Sequence, residues 1–151
     1  MAESTWQFEY SVETDASLRF AWDYWTNVAN WDDAGVEFEI DGPFAPGSRL
    51  TSKSPGQQAW HSVIRAVELE SAASIELQLD DAVLRFDWRF DELSPRRTRI
   101  TQRLTLEGEN GPAYTDNVVI FESTAPDGMK RLARVLERAE AQSLEAALHK
   151  K

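Results

Sequence analysis

The sequence predicts an α+β domain in which a strongly bent antiparallel sheet of seven strands wraps around a long C-terminal helix. Three observations carry that prediction. Trp6, Phe8, Tyr10 and Val12 alternate with Gln7, Glu9, Ser11 and Glu13, the period-two pattern of a strand with one buried face. Six more strand-like runs lie between residues 36 and 107, and their short, turn-rich links favour antiparallel neighbours. From Met129 onward, Leu132, Ala133, Leu136, Ala139, Ser143 and Ala147 recur on one helical face, with charged residues covering much of the rest.

After the first strand, Asp15 is placed to cap a helix over 16–26, in which Leu18, Ala21, Trp22 and Trp25 follow at helical spacing. A second stripe, Phe20, Tyr24 and Val28, widens its apolar arc and implies burial on two sides. Residues 27–33 read as a short second helix or a turn. Val36, Phe38 and Ile40 then alternate with acidic residues in strand two, which the run Gly42-Pro-Phe-Ala-Pro-Gly47 interrupts. The remaining strands are expected at 47–53, 58–69, 74–79, 83–93 and 98–107, bounded by Gly, Pro, Ser or Asp. In the sixth, Leu84, Phe86, Trp88 and Phe90 face one way, and Arg85, Asp87, Arg89 and Asp91 face water. Periodicity leaves 112–125 open between helix and strand, and Pro126, Asp127 and Gly128 suit either the start of the last helix or a kink in it.

The chain of 151 residues fits one domain, 1–151, with neither a repeat nor a linker to mark a second. Six Trp, seven Phe and three Tyr supply bulky core material. Sixteen Lys and Arg against 26 Asp and Glu leave a net charge of −10, which argues against nucleic acid and anionic membrane surfaces as partners. The basic cluster Arg96, Arg97 and Arg99 beside Pro95 reads as a solvated hairpin turn. The absence of cysteine removes thiol chemistry and thiolate metal sites. Neither a leader-like start nor a membrane-length apolar run is present, so stable membrane insertion is not expected and the cytoplasm is the expected location.

The order strand, two short helices, six strands, long helix resembles the helix-grip fold of the START-like superfamily (SRPBCC), which includes the Bet v 1-like proteins and the polyketide cyclase/dehydrase-like family. Local support comes from 22–31, the Asp41-Gly-Pro-Phe-Ala-Pro-Gly47 stretch, Trp60-His-Ser-Val-Ile64 and residues 108–112. The resemblance implies an apolar cavity between the concave face of the sheet and the last helix, holding a lipid, sterol, polyketide or other small apolar molecule. Fold members include carriers, cyclases and proteins with no known ligand, so it implies no single reaction.

Alternation places Gln102 inward with Ile100, Leu104 and Leu106, as a ligand handle or a satisfied core amide. Trp60 and Ser62 share a face with Ile64, so His61 points outward and makes a poor base. Trp22, Tyr24, Phe86, Trp88, Met129 and Leu132 are candidates to surround a ligand, against the plainer reading that each is core; Tyr114 joins Gln102 and Ser62 as a possible orienting group. His149 and His61 lack metal-ligand spacing, and the pairs Asp32/Asp33 and Asp80/Asp81 sit in turn-like segments. No phosphate loop and no nucleophile elbow occurs. The expectation is therefore binding of a small, largely apolar molecule with neither metal nor cofactor, catalytic residues and oligomeric state being left open. A cyclase- or dehydratase-like enzyme using the same cavity, and a protein-interaction domain with a filled core, are the alternatives.

Overall fold

The computed structural model describes residues 5–31 and 36–149. Seven strands form one antiparallel sheet: β1 (Trp6–Thr14), β2 (Glu37–Asp41), β3 (Arg49–Lys53), β4 (Trp60–Glu68), β5 (Ala72–Leu79), β6 (Ala82–Ser94) and β7 (Arg97–Glu107). Their order is β1-β7-β6-β5-β4-β3-β2, so the last six run as a meander and β1 closes against the final strand. Helix α1 (Leu18–Trp25), a 3-10 turn (Val28–Asn30), a second 3-10 turn (Gly111–Tyr114), α2 (Thr115–Val118) and α3 (Phe121–His149) complete the chain. The expected α+β class and strand count are both present.

The register fixes which residues share the concave face. Tyr10 lies opposite Gln102, and Gln102 opposite Trp88; one step along, Phe8 lies opposite Leu104 and Leu104 opposite Phe86. A β-bulge between Ile64 and Ala66 lets Arg65 and Ala66 both stand exposed, so that Val67 follows Ile64 on the inner face. Ile64, Ile100, Leu104, Leu106 and Leu136 are fully buried. Each such side chain contributes roughly 1.5–3 kcal/mol by leaving water.

The convex face is ionic. Arg65, Glu76, Arg85 and Glu107 form a chain of alternating charge from β4 to β7, with contacts of 3.0, 3.3 and 3.2 Å. Glu9 pairs with Arg103 at 2.9 Å across β1 and β7. This face is not uniformly wet, as alternation alone suggests: Thr101 and Thr105 are buried among their long-chained neighbours, and the Thr101 hydroxyl bonds that of Ser11.

Several boundaries differ from expectation for physical reasons. Ser17, not Asp15, caps α1: its hydroxyl accepts from the Phe20 N–H, while Asp15 is drawn into an ion pair with Arg97. The hairpin turn expected beside Pro95 joins β6 to β7 and its arginines are exposed; Arg97 and Arg99, on β7, also pair with Glu13 on β1. The stretch 112–125 is helical, and α3 begins eight residues before Met129, at Phe121, carrying Pro126 inside it. Ser123 and Thr124 return their hydroxyls to the Ile120 carbonyl just ahead of that proline. The Asp32/Asp33 pair and the side chain of His149 lie outside the described residues.

Candidate ligand cleft

Helix α3 does not lie centrally over the sheet; its chief strand neighbour is β1. Met129, Ala133, Leu136 and Glu140 are its buried stripe, and the Thr14 hydroxyl donates to the Ala133 carbonyl at 2.7 Å. A second stripe, Phe121, Ala125, Gly128 and Leu132, is only half-buried. Phe121 meets Phe86 edge to face at 6.0 Å. A Cβ built on Gly128 would come within 4 Å of nothing but the tip of Arg131, so this flank of the helix is loosely covered.

The apolar interior is divided into two clusters. The larger gathers α1, the middle of the sheet and α3 around Trp22, Trp25, Ile64, Ile75, Phe90, Ile100, Met129 and Leu136. The smaller, at the opposite end of the strands, holds Ala82, Leu84, Leu106 and Val118, with Trp6, Tyr114 and Phe121 packed against it. Phe86 touches both. Tyr10, Phe86, Trp88 and Leu132, along the seam between the clusters, each keep part of their surface accessible.

Gln102 lies in this region. It is 8% exposed, yet its amide has no hydrogen-bond partner among the described residues. Among the described residues no buried side-chain nitrogen or oxygen is both sealed from solvent and unpaired, so the amide keeps some contact with solvent. In the sheet it is flanked by Ile100, Leu104, Tyr10 and Trp88.

The aromatic wall is continuous. Trp25 stacks within 4.9 Å of Trp88, 5.3 Å of Phe90, 5.1 Å of Phe44 and 5.9 Å of Trp22. Rings at these separations attract beyond their burial alone.

The sequence-selected residues are brought together unevenly. Phe86, Trp88, Gln102 and Leu132 border the seam, and Ser62 lies on the same face, opposite Leu50 and Leu77. Trp22 and Met129 are almost wholly buried in the larger cluster. Tyr24 stacks on Phe20 at 6.1 Å, away from the Trp22 and Trp25 side of α1. Trp60 stands at the margin of the face and remains 52% exposed. Tyr114 is not beside Gln102: its hydroxyl accepts from Asp80 N–H at the β5–β6 turn, where it braces the smaller cluster. His61 is exposed, its Nδ1 3.2 Å from the Thr51 hydroxyl, as alternation required. Tyr10, Trp25, Phe90 and Phe121 were not selected. Alternation and helical spacing point the first three inward, but only the pairing of β1 with β7 sets Tyr10 against Gln102.

Two clefts lie on the outer surface. One, of about 390 Å³, opens on the convex face among Glu9, Glu68, Asp87, Arg89, Thr101 and Arg103. The other, about 350 Å³, is a surface groove along Arg134, Glu137 and Arg138 of α3. Among the described residues, no group of three His, Cys, Asp or Glu is placed to hold a metal ion, and no helix is long and apolar enough to cross a membrane.

A curved seven-stranded antiparallel sheet gripping a long C-terminal helix, with short helices after the first strand, defines the helix-grip class, and the chain has the fold of START-like, Bet v 1-like proteins. It is similar to a point mutant of norcoclaurine synthase from Thalictrum flavum in complex with a transition-state analogue, at 12% identity and a TM-score of 0.71, over 93% of this chain and 98% of that one. It is similar to the same plant's norcoclaurine synthase in complex with dopamine and hydroxybenzaldehyde, at 14% identity and a TM-score of 0.64, over 99% and 90%. The di-domain ARO/CYC BexL from the BE-7585A biosynthetic pathway matches at 14% identity and a TM-score of 0.65, over 86% of this chain and 46% of that chain. No protein-family model and no curated protein matches the sequence.

Proposed function

We propose that this protein binds a small, largely apolar molecule in the seam between the concave face and α3, and that it holds this molecule rather than converting it. The observation that carries the reading is Gln102: a side chain more than nine-tenths buried, without a hydrogen-bond partner among the described residues, on a largely aromatic and aliphatic face. Burial against Phe86, Trp88 and Leu132 supplies affinity, and Gln102 with Ser62 supplies orientation. The norcoclaurine synthase complex with dopamine and hydroxybenzaldehyde supports the choice of a small-molecule site, since it records the same fold with compounds of that size.

A cyclase- or dehydratase-like enzyme is the second reading, favoured by the synthase and ARO/CYC among the fold's neighbours. It requires an acid or base at the seam. In the sheet, the titratable side chain flanking Gln102 is the Tyr10 phenol, and the buried carboxylate of Glu140, in the C-terminal half of α3, is engaged by Ser17. These placements favour binding over turnover. A third reading is an interaction domain with a filled core, in which Phe86 simply bridges the two apolar clusters.

Native mass spectrometry of the purified protein, with identification of any molecule released on denaturation, tests the proposal. A retained apolar compound supports it and provides the candidate to assay for turnover. A clean apo mass that also persists after incubation with a panel of naphthalene- and sterol-sized compounds counts against it.

A further inference from the structure

The two edges of the sheet end differently. β1 is flanked by α3, and the Thr14 hydroxyl at its end reaches the Ala133 carbonyl of that helix. β2, last in the order on the other side, pairs with β3 alone, in unbroken register from Glu37 opposite Lys53 to Asp41 opposite Arg49. The 3-10 turn Val28–Asn30 lies beside it but forms no backbone hydrogen bond with it. Every second residue of β2 therefore turns its N–H and C=O away from β3, toward an edge where no described residue pairs with them. The strand contains neither proline nor bulge, either of which would close that edge to pairing.

Elsewhere on the outer face, acids meet arginines of the next strand: Glu9 meets Arg103, Glu13 meets Arg97, and Glu76 meets both Arg65 and Arg85. Glu37, Glu39 and Asp41 are exposed on the same face, and none of them forms an ion pair or a side-chain hydrogen bond among the described residues. Glu39 is the least compensated: it lies opposite neutral Thr51, whereas Glu37 and Asp41 have Lys53 and Arg49 opposite. On the concave side Phe38 and Ile40 are only half-buried, although Trp31 packs on Phe38 with ring centroids 5.4 Å apart. The edge thus lacks what the inner strands possess, a neighbour bringing cations to its acids and apolar side chains to Phe38 and Ile40.

A strand added here would set its outward side chains about 5 Å from those of Glu37, Glu39 and Asp41. The β2 of a second copy would bring acids against acids, so the edge rejects self-pairing. We infer that β2 is a docking edge for an extended segment of another protein, one in which Lys or Arg alternates with apolar residues. The segment's backbone takes up the free N–H and C=O groups, its cations face the three carboxylates, and its apolar side chains continue the row of Phe38 and Ile40. The net charge of −10 steers such a partner toward the protein and an acidic one away.

The test is fluorescence anisotropy with a labelled, end-blocked peptide in which lysine and valine alternate over the length of β2. Two controls accompany it: a peptide alternating glutamate and valine, and one of the first peptide's composition with its lysines contiguous. The alternating lysine peptide is expected to bind saturably, the contiguous one more weakly and the glutamate one not at all, with amide NMR shifts centred on residues 37–41. Glu39→Lys, checked for native circular dichroism, is expected to weaken the alternating lysine peptide about three- to tenfold. Replacing that peptide's central lysine by glutamate is expected to restore its binding to the variant. The inference is overturned by any of four results: no saturable binding of the alternating lysine peptide, equal binding of the contiguous one, shifts centred elsewhere, or a Glu39→Lys variant that binds as the wild type does.

Discussion

The carboxylate of Glu140, in the C-terminal half of α3, accepts hydrogen bonds from both the backbone N–H and the hydroxyl of Ser17, at 3.0 and 2.8 Å. The same hydroxyl accepts from the Phe20 N–H, so one buried acid ties the long helix to the first turn of α1. Removing it by Glu140→Ala strands two donors, at an expected cost of about 1–3 kcal/mol. Ser17→Ala loses the cap as well, at about 1–2 kcal/mol. Urea unfolding of both single variants and the double variant is expected to show losses well short of additive. Strict additivity would mean that the two residues act separately.

Glu13 gives the protein an acid-sensitive seam on its outer edge. The hydrogen bond from Arg97 holds the carboxylate below its ordinary value of 4.5; partial burial opposes the shift, and the charges of Arg97 and Arg99 reinforce it. A folded-state pKa below the unfolded one stabilises the fold above the unfolded value, and this contribution fades as pH falls through the folded value. Glu13→Gln is therefore expected to lower the urea midpoint at pH 7 and to converge on the wild type as pH falls below the ordinary value of 4.5 and through the lowered one. A constant difference across that range would show that the ion pairs are not responsible.

Gly108 is fixed by backbone geometry and space together. Its φ is +115°, and an added Cβ would lie 2.6 Å from the Asp81 carbonyl oxygen and 2.7 Å from the Ala82 Cα. Gly108→Ala is expected to destabilise by about 1–3 kcal/mol or more, visible as a lower melting temperature.

Gln102→Leu carries the opposite expectation. The amide has no partner to lose, so stability in urea should stay within about 1 kcal/mol of wild type, on the favourable side. By contrast, Trp25→Ala, at the meeting point of five other rings, should cost about 3–5 kcal/mol. A Gln102→Leu variant that loses as much as the core variant would show that the amide is structural.

The contrast between Gln102 and Asp15 marks how far the sequence can be read. Alternation along the seventh strand was enough to turn Gln102 inward, because the side-chain period of a strand is a local property. Whether its amide finds a partner depends on Trp88, across the β6–β7 hairpin, and on Tyr10, which reaches it from a strand distant in sequence, and no local pattern carries that. Asp15 and Ser17 are both good capping residues; Ser17 prevails because Arg97, from the neighbouring strand β7, takes the Asp15 carboxylate. Pro126 and Gly128 imitate a helix start, and α3 runs through them because Phe121 finds Phe86 and Glu122 finds the Trp6 indole. Tyr114 failed as a neighbour of Gln102 for the same kind of reason: the β5–β6 turn claims its hydroxyl.

The chain Arg65, Glu76, Arg85, Glu107 has a consequence for how the sheet assembles. The four charges belong to four successive strands and meet only when each strand is aligned as observed. A slip of one residue in β5 would carry Glu76 to the concave face and bring Ile75 and Leu77 out to water. The bulge at Arg65 adds a second constraint, because moving it would misplace the cation that opens the chain. The ionic face thus works as a proofreading device during folding: worth little once formed, it makes misaligned pairings unprofitable and leaves one register for the aromatic wall on the other side.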